Sequence, residues 1–215
     1  MILRRPDRRD GEAGGRRASC DRPDAGPGLR PDPDAGLLLS SRPLQEAAQS
    51  VAKVDATIRR ASAEDAELLA CVIRRSFRDV AERFLLTPEN APTHPSHCKP
   101  DWIRSDLGRG VSYHLLSSRG SVAGCVALEI ASASLAYLER LAVLPEQRGQ
   151  GFGAELVRHA LGQARSAGAA AVSAGVIADD KELVSWYQQL GFAAAGTRRF
   201  PHLPFAVSYL EIALS

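Results

Sequence analysis

No run of about 18 consecutive apolar residues occurs anywhere in the 215-residue chain, so no segment reads as a membrane-spanning helix. A surplus of one charge is also missing. Twenty-seven basic residues face 25 acidic ones, a formal net of +2, which gives no general electrostatic case for nucleic acid or a membrane surface. Cysteine is sparse, and Cys20, Cys71, Cys98 and Cys125 form no CxxC pair and no dense framework. They read as reduced thiols of a cytoplasmic protein. There is no Gly-x-Ser-x-Gly elbow of a serine hydrolase, and no Lys-Ser or Lys-Thr follows a glycine loop as a Walker nucleotide site requires. No aromatic residue precedes Phe77.

What the chain has is divided unevenly. Residues 1–43 hold nine Arg, six Asp, one Glu, six Pro and six Gly. A stretch so polar and so rich in breakers cannot bury enough apolar area to offset its ordering entropy, and residues 1–55 are expected to be a disordered arm with a short helix at 44–52. A secretory signal is excluded because Leu37-Leu38-Leu39 is too short an apolar core, and a transit peptide because the arm carries seven acids. Across residues 1–56, ten basic groups meet nine acidic ones, too weak a field to grip nucleic acid.

Residues 56–215 carry the periodicities of one domain. Thr57–Arg59 reads as a strand, and Ser62 with Asp65 as the capping box of a helix whose apolar residues fall at Ala66, Leu69, Ala70, Ile73 and Phe77. A second helix is expected at 79–86, stopped by Thr87-Pro88, and a short turn of helix after Asp101. The period then changes to that of strands at 111–116, 122–130 and 135–143, joined by hairpin-length connections. A helix over 151–167, a strand at 172–177, a helix capped by Asp179, and strands at 192–200 and 205–214 complete a β-α-α-β-β-β-α-β-α-β-β order. That order gives a mixed α/β fold, one mixed sheet with helices on its faces.

Chemistry concentrates where the strand ending at Val143 meets the next helix. Glycines 149, 151 and 153 remove Cβ atoms from a turn whose free N–H groups and helix dipole converge on one point, which favours a phosphate or pyrophosphate. Arg148 can add a charged fork. Gly149-x-Gly151-x-x-Ala154 also fits a dinucleotide fingerprint with Asp179 and Asp180 as ribose partners. Three features oppose it: the spacer 144–148, the hairpin-linked strands before it, and the short chain after it.

The run Leu141-Ala142-Val143-Leu144-Pro145, followed by Arg148-Gly149-Gln150-Gly151-Phe152-Gly153, resembles the first signature of the GNAT N-acetyltransferase superfamily, and Tyr187-Gln188-Gln189-Leu190-Gly191-Phe192 resembles its second. The resemblance covers residues 57–215 and implies a GNAT-type fold that binds acetyl-CoA and uses no metal. It implies that Arg148, Gly149, Gln150, Gly151, Phe152 and Gly153 hold the pyrophosphate. Leu141, Ala142 and Val143 would pair with the pantetheine arm, and a main-chain N–H near Val143 would meet the thioester oxygen. It implies Tyr187 as the acid for the departing thiolate, although Tyr187 also belongs to the inner stripe of its helix. Glu139 is the candidate base. Alternation places it on one face with Tyr137, Leu141 and Val143; the competing reading is a strand carboxylate paired with an arginine. Asp180 stands where the family usually has Asn, and Gly175 where N-terminal acetyltransferases carry Glu.

The expected reaction is direct transfer of an acetyl group, in a ternary complex, to a primary amine of a small molecule or peptide, by a monomer or homodimer. The alternatives are a non-catalytic CoA-binding module and, from the fingerprint, a dinucleotide oxidoreductase. The loop 93–98 is expected to contact the acceptor rather than zinc, for want of a fourth ligand, and His202 to line the pocket.

Overall fold

The computed structural model describes residues 56–214. The arm expected over 1–55, its short helix included, lies outside the described residues.

Seven strands form one sheet in the order β1-β2-β3-β4-β5-β7-β6. β1 (Ala56–Arg60), β2 (Ser112–Ser118), β3 (Ser121–Ile130) and β4 (Ala136–Val143) pair antiparallel in succession. β4 and β5 (Ala171–Ile177) are parallel, as a crossover through a helix requires, and β7 (Ala206–Ala213) inserts between β5 and β6 (Ala193–Arg199). Arg119 and Gly120, both left-handed (φ 50° and 77°), make the two-residue turn between β2 and β3.

The helices divide between the two faces. α1 (Ala66–Arg83) and α2 (Pro100–Gly108) cover one face over Leu69, Ile73, Tyr113, Leu115 and Ala127. α3 (Phe152–Ser166) and α4 (Lys181–Gln189) cover the other over Leu116, Val126, Leu138, Leu156 and Leu210. Two apolar layers on one sheet supply the cores that hold the fold, and the burial of each large side chain stabilises it by roughly 1.5–3 kcal/mol.

Two expectations are corrected. The helix expected at 79–86 is not separate: α1 continues unbroken to Arg83. Phe77, Val80, Ala81 and Phe84 prolong the spacing of Leu69 and Ile73, and nothing between breaks it. The helix ends where Leu85 turns left-handed (φ 52°) and the N–H of Leu86 reaches back to the Ala81 carbonyl at 2.8 Å. The second helix of the order is therefore α2. The cap of α4 is Asp180 rather than Asp179, because its carboxylate accepts the Leu183 N–H at 3.3 Å.

Candidate active site

β4 and β5 begin as neighbours and then part. Their ladder contains Ala136↔Val172 and Tyr137↔Ser173 only, while β5 remains paired with β7 along its length. The divergence opens a cleft of about 760 Å³ through the sheet. Leu141 and Val143 form one wall, Gly175 and Ile177 the other, and Tyr187 of α4 closes it from the α3/α4 face.

β4 itself changes face as it enters the cleft. Ala136 and Leu138 lie in the core under α3 and α4, and strict alternation would put Ala142 there too. Ala142 instead lies in the core under α1, and Leu141 and Val143 pack on the α3 side. Between Ala127↔Glu139 and Cys125↔Ala142 the strand uses one residue more than β3, a bulge centred on Arg140, whose φ is 47°. The expected common face of Glu139 with Leu141 and Val143 is thereby corrected. Glu139 stays opposite Ala127 on the α1/α2 side, and the bulge turns the two others away. Burial raises the Glu139 carboxyl above its ordinary range, partly offset by the Arg140 guanidinium. Glu139 is not among the side chains that line the cleft.

The turn after β4 is built by Pro145, which opens a single 3₁₀ turn over Pro145–Gln147, and by Gly149 and Gly151, with φ of 77° and 82°. Side-chain-bearing residues rarely adopt this conformation, and Gly151 is also the N-cap of α3. Gly153 has a different reason to be glycine. A Cβ there would stand 3.2 Å from the Trp186 ring, so the glycine lets α4 close against the first turn of α3. Gly149, Gly151, Phe152 and Gly153 line the cleft, whereas Gln150 turns out to bond Gln147 at 3.2 Å.

Arg148 lines the cleft, but its fork is held by α1. It donates to the Asp79 carboxylate and, at 2.7 Å, to the Ser76 carbonyl, while its Nε reaches the Val143 carbonyl at 3.3 Å. The same Arg148 holds the Asp79 carboxyl below the usual carboxylate range. Asp180 lines the cleft and accepts from Arg83. Tyr187 is 4% exposed, with its ring edge-on to Trp186 at 5.0 Å and to Phe192 at 5.2 Å. Burial pushes its phenol up, so the hydroxyl keeps its proton through the neutral range.

The α1 side of the cleft brings in residues that sequence reasoning did not single out: Phe77, Arg140 and, within the loop expected to meet the acceptor, His94. His94 is buried edge-on to Phe77, and its Nδ1 accepts the Ser96 N–H at 3.3 Å. Burial pushes its imidazole down to about 4, so it is neutral. His202 is not among the lining side chains, but its neighbours Leu203 and Phe205 are. A Phe and a His on different elements, meeting across the fold, leave no local pattern that would have found them.

A family model described as acetyltransferase (GNAT) family matches residues 62–192, which includes β2 to β5, the glycine turn and Tyr187. The chain belongs to the GNAT acetyltransferase family. It is accordingly an acyltransferase of N-acetyltransferase type. Solved GNAT structures share the fold at low identity. The ribosomal-protein-S18-alanine N-acetyltransferase from Escherichia coli is 20% identical with a TM-score of 0.60, over 74% of this chain and 94% of that one. PaiA N-acetyltransferase from Thermoplasma acidophilum in complex with coenzyme A is 19% identical with a TM-score of 0.62, over 74% and 98%. The structure of yncA from Salmonella typhimurium with its cofactor acetyl-CoA is 17% identical with a TM-score of 0.57, over 74% and 94%. No curated protein matches the chain by sequence. Among the described residues no helix is long and apolar enough to cross a membrane, and no three His, Cys, Asp or Glu side chains gather to hold a metal ion.

Proposed function

We propose that the cleft between β4 and β5 binds acetyl-CoA and passes its acetyl group directly to a primary amine of a small molecule or peptide, in one ternary complex. The observation that carries this reading is the early end of the β4–β5 ladder. The edge of β4 beyond Tyr137 has no β5 partner, and that edge leads from a glycine turn at one side to the Tyr187 phenol at the other. These residues suit coenzyme A. Gly149 and Gly151 expose backbone N–H groups beside the start of α3 where a diphosphate would be favoured. The β4 edge at Leu141 and Val143 offers peptide groups to an amide-bearing arm.

Acetyl-CoA supplies an activated acyl group as a thioester. The protein's own work is to hold, exclude water and move protons. Tyr187, protonated and buried, would donate to the departing thiolate. Arg140 and Leu141 have no partner in the β3 register, and a main-chain N–H near Val143 would stabilise the developing negative oxygen. Removal of the proton from the acceptor ammonium falls to Glu139, through water, since Glu139 lies outside the cleft wall. Arg148 contributes to coenzyme A binding by fastening the glycine turn to α1, and Asp180 by fixing the start of α4.

A thiol-release assay with acetyl-CoA against a panel of amines, amino acids and peptides tests the reading. Thiol release that depends on an added amine supports it. Binding of coenzyme A with no turnover on any acceptor would favour a CoA-binding module, and binding of NADH without coenzyme A would favour the oxidoreductase.

A further inference from the structure

Arg140 is the one described residue inside a strand, other than glycine, whose φ is positive. Such a conformation crowds the Cβ against the chain, and it persists only where the surroundings impose it. The surroundings here are specific. The Arg140 guanidinium donates to the Asp106 carboxylate and to the Tyr113 hydroxyl, and it lies 5.8 Å from the Tyr113 ring. Tyr113 in turn donates to Asp106 at 2.7 Å, and Arg109 donates to the other Asp106 oxygen.

Asp106 is buried, with 4% of its surface exposed, and its four-residue network joins α2, β2 and β4 on the face opposite the glycine turn. A buried carboxylate and guanidinium are costly unless paired, so the two ends hold each other in one arrangement. The Arg140 side chain reaches towards α2, and residue 140 has no partner in the β3 register. The next residue, Leu141, then turns to the α3 face, as its packing shows.

We infer that Asp106 is a positioning residue for acetyl transfer: held by Tyr113, it clamps Arg140 so that β4 bulges, leaves β5 and presents the main chain of residues 140–143 to the cleft. Asp106 does not itself line the cleft and acts through Arg140, which does. The consequence for the reaction rests on the acetyl-CoA reading above; the consequence for the backbone does not.

The test therefore has two arms, run on Asp106→Asn and on Tyr113→Phe, the second of which removes only the phenol and keeps the ring in the core. In crystal structures of the variants without ligand, residue 140 of Asp106→Asn is expected to return to negative φ and Ala142 to move to the α3 face, with a smaller shift in Tyr113→Phe. In solution, kcat with acetyl-CoA is expected to fall roughly 10²-fold in Asp106→Asn, as for a misplacement of about 1 Å. The dissociation constant for coenzyme A should rise by a much smaller factor than kcat falls, because its pantetheine arm loses part of the edge at Leu141 and Val143 while the glycine turn still holds the diphosphate. Should Asp106→Asn not fold, Tyr113→Phe decides by the same two readouts at smaller amplitude. Folded variants that keep residue 140 left-handed, or that lose coenzyme A affinity as steeply as kcat, overturn the inference. Wild-type protein that releases no thiol from acetyl-CoA, alongside variants whose bulge is lost, overturns the function and leaves the clamp standing.

Discussion

Arg83, in the last turn of α1, donates to the carboxylate of Asp180, and the same carboxylate accepts the Leu183 N–H at 3.3 Å at the start of α4. One side chain thus ties together helices from opposite faces of the sheet, at the mouth of the cleft that both line. Asp180 is 6% exposed, whereas Arg83 is half-exposed, so the cap rather than the ion pair carries most of the energy. Asp180→Ala is expected to lower stability by about 1–2 kcal/mol, read from urea denaturation. Asp180→Asn, which retains the acceptor oxygen, should lose less than half as much.

Tyr187→Phe keeps the ring between Trp186 and Phe192 and removes only the hydroxyl. The variant should unfold within about 1 kcal/mol of wild type. Its kcat for acetyl transfer should fall about 10²-fold or more while coenzyme A affinity is retained, because the lost group acts on the departing thiolate rather than in binding. Steady-state kinetics with calorimetry checks both halves.

Gly151 in the turn and Gly153 in the first turn of α3 should fail differently. Gly151→Ala places a Cβ in a left-handed conformation (φ 82°) and should cost about 1–2 kcal/mol and weaken coenzyme A binding. Gly153→Ala has ordinary backbone but sets a Cβ 3.2 Å from the Trp186 ring. It should shift the tryptophan fluorescence and leave the turn in place. Spectra of the two variants, with and without coenzyme A, separate these effects.

Much of this was legible in the sequence. Alternating and helical periods place the strands and three of the four helices within a residue or two, and the glycine turn and Tyr187 do meet at one cleft. What was not legible depends on partners far along the chain. The ion pair of Arg148 with Asp79 joins two elements far apart in the chain and has no local signal. Alternation along β4 misassigns the faces of Leu141 and Val143 because the bulge at Arg140 is imposed by Asp106 and Tyr113, from α2 and β2.

His114 and His159 pack edge-on with ring centroids 4.5 Å apart, and His114 Nδ1 and His159 Nε2 are buried without a partner. Burial pushes His114 down to about 4 and lowers His159 as well, with Arg60 and His159 opposing a charge on His114 and Glu155 favouring one on His159. The unfolded chain takes up these protons near 6.5, so between that value and 4 it binds more protons than the folded chain. Stability is therefore complete above 6.5 and falls as the pH drops towards 4. His114→Phe should flatten the slope there by up to about 1.4 kcal/mol per pH unit. His94, depressed in the same direction, leaves part of the slope in place. Urea midpoints on either side of 6.5 measure the difference.

The most direct measurement is a crystal structure of the protein with acetyl-CoA. It should show the diphosphate on the backbone N–H groups of Gly149–Gly153, the pantetheine arm along Leu141 and Val143, and the sulfur within hydrogen-bonding reach of the Tyr187 hydroxyl. A nucleotide seated elsewhere, or a sulfur far from that phenol, would contradict the account.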